Sequence, residues 1–557
     1  MATVFSPSSQ ETFKWWAECQ PINFYDSDEG LIRSLEFYCH DAERLLTYQD
    51  RLSRFGASAA TVLNEAAQTS NLAENLPILQ SAGGELNDEV LYGVPYHVIG
   101  SQLYATGVMQ LFAEPIDHVL AMAFLHLLSL NGEAGHACPF ACTAGVIKAL
   151  SALGTDEQKQ QYLPRLLDPD YTRLYHAAQY LTENQGGSDV GSNRTIAERH
   201  PVHDGDWLLT GEKSFCTNVT APIAVLTARP KGARDGTSGL GLFLLRQRHV
   251  DGTLNGIQIV RLKEKLGTQS IATAEIRLNG AVAESLGPVD GGFKNMMRYV
   301  INTSRLCNCF FASGAARRAF ITADLYATHR TAFGKRIKEF PLVNQTLALM
   351  KAKSTGILAA SLCLARMLDD VESGLEDEER NQLLFRVLLN VSKYRSSVLA
   401  RETVLAGIEC LGGNGTIETF SVLPRLLRDC IVYETWEGPH NVLMARLYRD
   451  LRKASALNQA FMCLQKVFKN VEATELADVC HSALRRVETL RVEIEKELNG
   501  SDVEPSWAFR AAMDVFGNLF FLARICAEAD FHKSAEIRID RIKAAQDFWR
   551  YTCPASP

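Results

Sequence analysis

The stretch Tyr433-Glu434-Thr435-Trp436-Glu437-Gly438 puts a carboxylate between a large aromatic and a glycine, late in a helix-rich region. A glutamate held against an aromatic wall is partly desolvated, and desolvation raises its pKa towards that of a working general base. Glu437 is therefore the candidate proton-abstracting residue. The triplet alone is a weak signal, because glutamates are common on solvated helix faces.

Its company raises its weight. Upstream and between lie Thr182-Glu183-Asn184-Gln185-Gly186-Gly187-Ser188-Asp189, Gly211-Glu212-Lys213-Ser214-Phe215-Cys216-Thr217-Asn218, Arg330-Thr331-Ala332-Phe333-Gly334 and Leu411-Gly412-Gly413-Asn414-Gly415. In this order and at these separations they resemble the acyl-CoA dehydrogenase flavoprotein family, over nearly the whole chain.

The periodicity of apolar residues gives the same layout independently. To about Asp170 they recur at helical spacing, and Gly135-His136-Ala137-Cys138-Pro139-Phe140 reads as a break in that pattern, either a loop beside a ligand or a plain turn. Between about Leu174 and Leu286 period two takes over: Ala274, Ile276 and Leu278 alternate with Glu275 and Arg277, Gly239 and Gly241 flank the run Leu242 to Leu245, and Asp204-Gly205-Asp206 reads as a hairpin turn before Trp207. From about Gly292 the helical period returns, with Ala316, Phe320, Ala323 and Ala327 on one stripe. The expected fold is α+β, mostly α: a helical domain over 1–173, a β-sandwich or barrel over 174–288, a helical bundle over 289–450 and a helical extension over 451–557. The resemblance makes the bundle four-helical.

A chain of 557 residues, 46% hydrophobic and 22% charged, is too long for one compact core. Its net charge of −7 argues against a protein that coats nucleic acid, and the extension carries 15 basic and 15 acidic residues. The 14 cysteines are scattered, and the close pairs Cys138/Cys142 and Cys307/Cys309 lack the second pair that a zinc site needs. Free thiols and a start without a signal-peptide pattern suit a reducing, intracellular compartment, cytoplasmic in the first instance. The ending Cys553-Pro554-Ala555-Ser556-Pro557 is not a Ser-Lys-Leu address. The apolar run from His118 to Leu130 is shorter than the roughly 20 residues of a membrane span.

The resemblance also implies roles. Gln179, Leu181, Thr182, Gly187 and Ser188 would follow the flavin of an FAD, with Thr182 supplying a hydroxyl and the glycines allowing close backbone approach. On the next flavin strand Phe215, where tryptophan is commoner, would pack on the ring and Thr217 would meet N5, the hydride acceptor. Arg330 and Phe333 would reach the flavin of a neighbouring subunit, and Gly412 and Gly413 would cover its pyrophosphate, so a homo-oligomer, a tetramer, is expected. Glu409 stands where many members carry glutamine, and Asn441 joins the cofactor set. Arg305 would lie by the base and belong with it to the catalytic set, and Ser188, Asn302, Trp436 and Gly438 would lie by the substrate. Some branches carry their base at the position of Ser304, and serine cannot do that work.

The implied reaction is α,β-dehydrogenation of an acyl-CoA thioester, with Glu437 taking the α proton, the β hydride passing to flavin, and electrons leaving to an electron-transfer flavoprotein or to oxygen. Cys138-Pro139, the Gln185 to Asp189 segment, Trp436 in place of tyrosine and the extension resemble the AidB-like branch, in which one bacterial member is associated with DNA binding. A DNA-binding protein of the alkylation response and a flavin oxidase are the alternatives to the dehydrogenase.

Overall fold

The computed structural model describes residues 14–39, 41–72, 76–80, 86–132, 134–373, 378–500, 504–532 and 534–553. The first thirteen residues and Pro554 to Pro557, on which the targeting expectations rest, lie outside them.

Numbering only the longer helices, the N-terminal region holds α1 (Glu29–Tyr38), α2 (Ala42–Ala60), α3 (Val62–Leu72), α4 (Val94–Tyr104), α5 (His118–Ser129), α6 (Ala134–Leu153) and α7 (Asp156–Leu166). A hairpin of β1 (Leu76–Gln80) and β2 (Leu86–Leu91) interrupts them, a pairing that the helical reading did not foresee. Short polar side chains start these helices: Asp28 accepts from the Leu31 N–H, Asp117 from that of Leu120, and Thr155 with Gln158 forms a capping box. Each such cap stabilises by about 1 kcal/mol. The expected break at Pro139 is absent, because Pro139 lies inside α6. The ring removes one intrahelical hydrogen bond, and the buried neighbours Cys138, Phe140, Ala141 and Cys142 hold the helix through it. By length and composition α6 and the helix Pro341–Glu372 could cross a membrane, yet most of each apolar window is buried in protein, so burial explains the hydropathy.

The middle region is a seven-stranded sheet: β3 (Ala177–Tyr180), β4 (Ile196–Arg199), β5 (Asp206–Thr217), β6 (Ile223–Pro230), β7 (Gly241–Arg246), β8 (Ile257–Leu262) and β9 (Thr273–Ser285). The order β6-β4-β5-β9-β7 returns to β6 through the β6–β7 ladder, so the sheet closes as a barrel with β3 and β8 alongside. Gly205, at φ 96°, ends the β4–β5 connection. The register of β5 on β9 shifts between Lys213 and Cys216, a bulge that turns Phe215 outwards at φ 56°.

A π-helical turn, Met296–Ile301, leads into α8 (Asn302–His329), followed by α9 (Pro341–Glu372), α10 (Glu378–Leu411), α11 (Leu423–Thr435) and α12 (His440–Leu451). Helices α8 and α10 each pack against the other and against α9 and α11, which makes the four-helix bundle. Ala316, Ala323 and Ala327 are buried in it as the stripe on α8 requires. The extension forms α13 (Ala454–Asn470), α14 (Ala477–Leu498), α15 (Trp507–Phe531) and α16 (Ala535–Thr552), and α15 lies along α9 and α10. One hydrophobic core runs through the N-terminal helices, the bundle and the extension, while the barrel keeps a second core of its own.

Candidate active site

Glu437 follows the end of α11, where Trp436 leaves the helix in an extended conformation. Its own φ is 53° and that of Gly438 is 103°. A left-handed glutamate costs about 1–2 kcal/mol, so the surroundings must hold it there. Its Oε1 accepts from Gln179 Nε2 of β3 at 2.7 Å and from Ser304 Oγ of α8 at 2.9 Å. No described residue donates to Oε2. Burial lifts the carboxyl above its ordinary 4.5, and the Arg305 charge, the Ser304 hydrogen bond, the Lys393 charge and Gln179 pull against that rise.

Three of the expected site residues surround this turn. Gln179, read as part of the cofactor strand, sends its side chain to the candidate base, and its Oε1 is buried with no hydrogen-bond partner among the described residues. Arg305 grips the main-chain carbonyl of Glu437 through Nε at 2.9 Å and Asn390 Oδ1 through Nη1 at 2.9 Å. It therefore meets the Glu437 turn through the main chain and not through the carboxylate. Trp436 is wedged into the bundle: its indole N–H donates to Asn308, and its ring stacks on Tyr433 at 5.5 Å and tilts against Phe311 at 5.7 Å. Asn302 sits at the start of α8 with its buried Oδ1 unpartnered among the described residues.

The two flavin-strand motifs meet through the Ser214 N–H, which donates to the Thr182 carbonyl at 2.9 Å. A Cβ on Gly187 would lie 2.6 Å from the Thr182 hydroxyl, so only glycine leaves that hydroxyl its space. Ser188 is exposed, Leu181 packs on the main core, and the Leu181 carbonyl is taken by Asn193 Nδ2 at 2.7 Å. Thr217 Oγ1 pairs with Thr273 Oγ1 at 3.0 Å. Phe215 is 62% exposed with Lys263 Nζ 4.5 Å from its ring centre, which excludes an ordinary core role.

Glu183, unassigned by its motif, holds this region together. Its carboxylate accepts from the N–H groups of Arg194 and Thr195, the Thr195 hydroxyl and Lys213 Nζ, the last at 2.8 Å and fully buried. Burial opposes ionisation of Glu183, but Lys213 and these donors outweigh it and hold the carboxyl below its ordinary value.

The third group lies at an open edge. Arg330 ends α8, and a short hairpin of β10 (Thr331–Ala332) and β11 (Lys335–Arg336) places Phe333 at its tip, 96% exposed at φ 50°. Gly412 and Gly413 begin the turn after α10, where a Cβ on either would meet nothing within 4 Å. Asn414 Nδ2 donates to Tyr326 OH at 3.2 Å and ties that turn to α8. Glu409 is exposed, turned away from the core. Asn441 stands apart from these groups: it is exposed, and its Oδ1 accepts from Arg510 Nη1 of the extension at 3.2 Å.

Comparison with known proteins assigns this architecture. Residues 290–451 match the acyl-CoA dehydrogenase C-terminal domain, residues 178–281 its middle domain, and residues 16–173 the N-terminal domain of the adaptive response protein AidB. The chain is 32% identical over 443 residues to acyl-CoA dehydrogenase family member 11 of Caenorhabditis elegans, covering 77% of this chain and 70% of that protein. The chain belongs to the acyl-CoA dehydrogenase family. Within this family of oxidoreductases that act on acyl-CoA, the N-terminal match puts it in the AidB-like branch. AidB of Escherichia coli (strain K12) is 29% identical over 432 residues, 74% of this chain and 76% of that one. The crystal structure of C. elegans ACDH-11 in complex with C11-CoA superposes with a TM-score of 0.87 at 26% identity, covering 97% of this chain and 93% of that chain.

Two residues escaped the sequence reading. Lys393 and Asn390 converge on the Glu437 turn from α10, forty residues or more before it in the chain. The stretch from Phe385 to Val398 mixes apolar residues with Arg386, Asn390, Lys393, Arg395 and three serines, so nothing in the sequence set these two apart from an ordinary polar helix face.

Proposed function

We propose that this chain is an FAD-dependent acyl-CoA dehydrogenase that desaturates an acyl-CoA thioester between the α and β carbons, with Glu437 as the α-proton base. The observation that carries this reading is the Glu437 carboxylate itself: desolvated, tethered at Oε1 by Gln179 and Ser304, and with Oε2 free of protein donors. Desolvation keeps it basic, and two donors on one oxygen fix the direction in which the other points.

The residues present fit FAD. Thr182, Gly187, Thr217 and the outward Phe215 would hold the ring system, and Arg330 with Gly412 and Gly413 the pyrophosphate of a neighbouring subunit's cofactor in a homo-oligomer. FAD supplies the two-electron oxidation of the β carbon. The chain's own part is to bind the thioester, to hold its α carbon against Glu437 Oε2, and to take the proton there. The Glu437 N–H is the main-chain donor for the thioester oxygen, and its direction is set by the same left-handed turn. Ser188, Asn302 and Gly438 would line the acyl-CoA, while Trp436, held in the bundle by Asn308, Tyr433 and Phe311, backs the turn. Its electrons leave to an electron-transfer flavoprotein or to oxygen, which peroxide release against reduction of an artificial acceptor distinguishes.

The extension gives a duplex-binding role little support, because its 15 basic residues are balanced by 15 acidic ones and several of its arginines are already paired. Arg486, Arg491, Arg538, Arg541 and Arg550 are paired with Glu493, Glu495, Glu475, Glu528 and Asp547. Paired cations release few phosphate counterions.

The test is a Glu437→Gln variant purified with flavin bound and mixed anaerobically with C11-CoA. Flavin bleaching should fall by about 100-fold or more. Bleaching at the parental rate would remove Glu437 as the base.

A further inference from the structure

The turn that carries Glu437 is strained and must be held by something other than its own preference. Three side chains of α10, at the helical spacing of Asn390, Lys393 and Ser397, face it. Lys393 Nζ donates to the carbonyls of Gly438 at 3.0 Å and Glu434 at 3.3 Å, one on each side of Glu437. Ser397 Oγ lies 3.4 Å from the Tyr433 carbonyl, and Asn390 holds the Arg305 guanidinium that grips the Glu437 carbonyl.

Lys393 is fully buried and forms no ion pair among the described residues. A buried, unpaired ammonium costs several kcal/mol, and a methionine or leucine would fill the same volume without that cost. What the ammonium adds here is two hydrogen bonds to the base turn and a positive charge beneath it. Resting on the assignment of Glu437 as base, we propose that Lys393 is a positioning residue for this reaction: through the carbonyls of Glu434 and Gly438 it fixes the arc on which the base is carried.

The charged and titratable groups facing Lys393 are Arg305 and Cys309 from α8, Glu434 from α11, Glu437 from the turn and His440 from the start of α12, whose imidazole is held down to about 4 by burial and the Lys393 charge. Burial, reinforced by Arg305, pushes the Lys393 ammonium down to about 7. Its charge in turn favours the ionised form of Glu437. Loss of Lys393 therefore has two signatures, a misplaced base and a base that is harder to ionise, and a residue that merely filled space would show neither.

The experiment compares the holoenzyme of the parent, Lys393→Met, Lys393→Arg and Glu437→Gln, reading anaerobic flavin reduction by C11-CoA against pH together with the Kd for C11-CoA. Lys393→Met should reduce flavin about 10- to 100-fold more slowly with Kd nearly unchanged. The acid limb of its rate profile should lie about half a pH unit or more above the parent's. Lys393→Arg should recover part of the rate and bring the limb back. If Lys393→Met does not fold, Lys393→Gln, which keeps a donor and drops the charge, carries the same readouts. Parental rates with an unmoved acid limb would overturn the proposal, as would a loss confined to melting temperature and Kd. Glu437→Gln separates the two ideas: if it is inactive while Lys393→Met behaves as parent, the base stands and the positioning role falls; if it is fully active, both fall.

Discussion

The surroundings of Glu437 and the edge formed by Arg330, Phe333, Gly412 and Gly413 are built in opposite ways. Around Glu437 a single chain supplies everything: β3, α8 and α10 converge on one turn, and its carboxylate and carbonyls are engaged by Gln179, Ser304, Arg305 and Lys393. At the edge the same chain leaves an aromatic in solvent and two glycines beside open space. Proton transfer tolerates errors of a fraction of an ångström, so its residues are locked by packing and hydrogen bonds from within. Under the proposed reading, recognition of a cofactor's phosphate tail is shared with a second subunit, and residues for that task would stand outside the core, as these do.

Locking from within is tested most severely at Glu183, the buried polar hub of the segments that carry Thr182 and Lys213. Glu183→Ala strands Lys213 in a dry site and should lower unfolding stability by about 3–5 kcal/mol, read as a drop in the urea midpoint. The sign with pH follows from the depressed carboxyl: its contribution is present above its ordinary 4.5 and is lost as pH falls through the lower, folded value. The variant should therefore show a weaker acid dependence of stability than the parent.

A milder effect is expected at the edge. Arg330→Ala should weaken FAD retention by about 10- to 100-fold, the worth of charge-assisted bonds to a phosphate. The turnover of enzyme kept loaded at high FAD should stay close to the parent's, which dilution and reconstitution titrations check. If turnover per bound flavin collapsed instead, the edge would belong to the chemistry.

The smallest effect sharpens the comparison within two neighbouring residues. Gly412 has φ 61°, so Gly412→Ala should cost about 1–2 kcal/mol whatever the space around it. Gly413 has no such conformation and meets nothing nearby, so Gly413→Ala should leave stability alone and report only on cofactor affinity. Equal losses of stability would mean that the turn packs against something within the chain.

Much of the fold was legible because periodicity changes with the kind of element. Period two from Leu174 to Leu286 became the barrel, and the stripe from Ala316 to Ala327 became the inner face of α8. Pro139 breaks the local rule because tertiary packing outweighs one lost helix bond: its neighbours Cys138, Phe140, Ala141 and Cys142 are all buried. The base region was legible at Glu437 and Ser304, which lie in motifs. Lys393 was not, since its meaning depends on which turn α10 meets in three dimensions. Gln179 shows the same limit from the other side: a residue placed by its motif in a cofactor strand gives its side chain to the base. Phe215 and Asn441 depend on a bulge and on an extension helix, neither of which a linear pattern encodes.

The most direct measurement of the central claim isolates proton removal from oxidation. The C2 protons of C11-CoA are followed by NMR in deuterated buffer, with parent holoenzyme and with Glu437→Gln. If Glu437 is the base, the parent exchanges these protons for deuterium and the variant stays at the buffer background. Exchange by Glu437→Gln at the parental rate would show that another group takes the α proton.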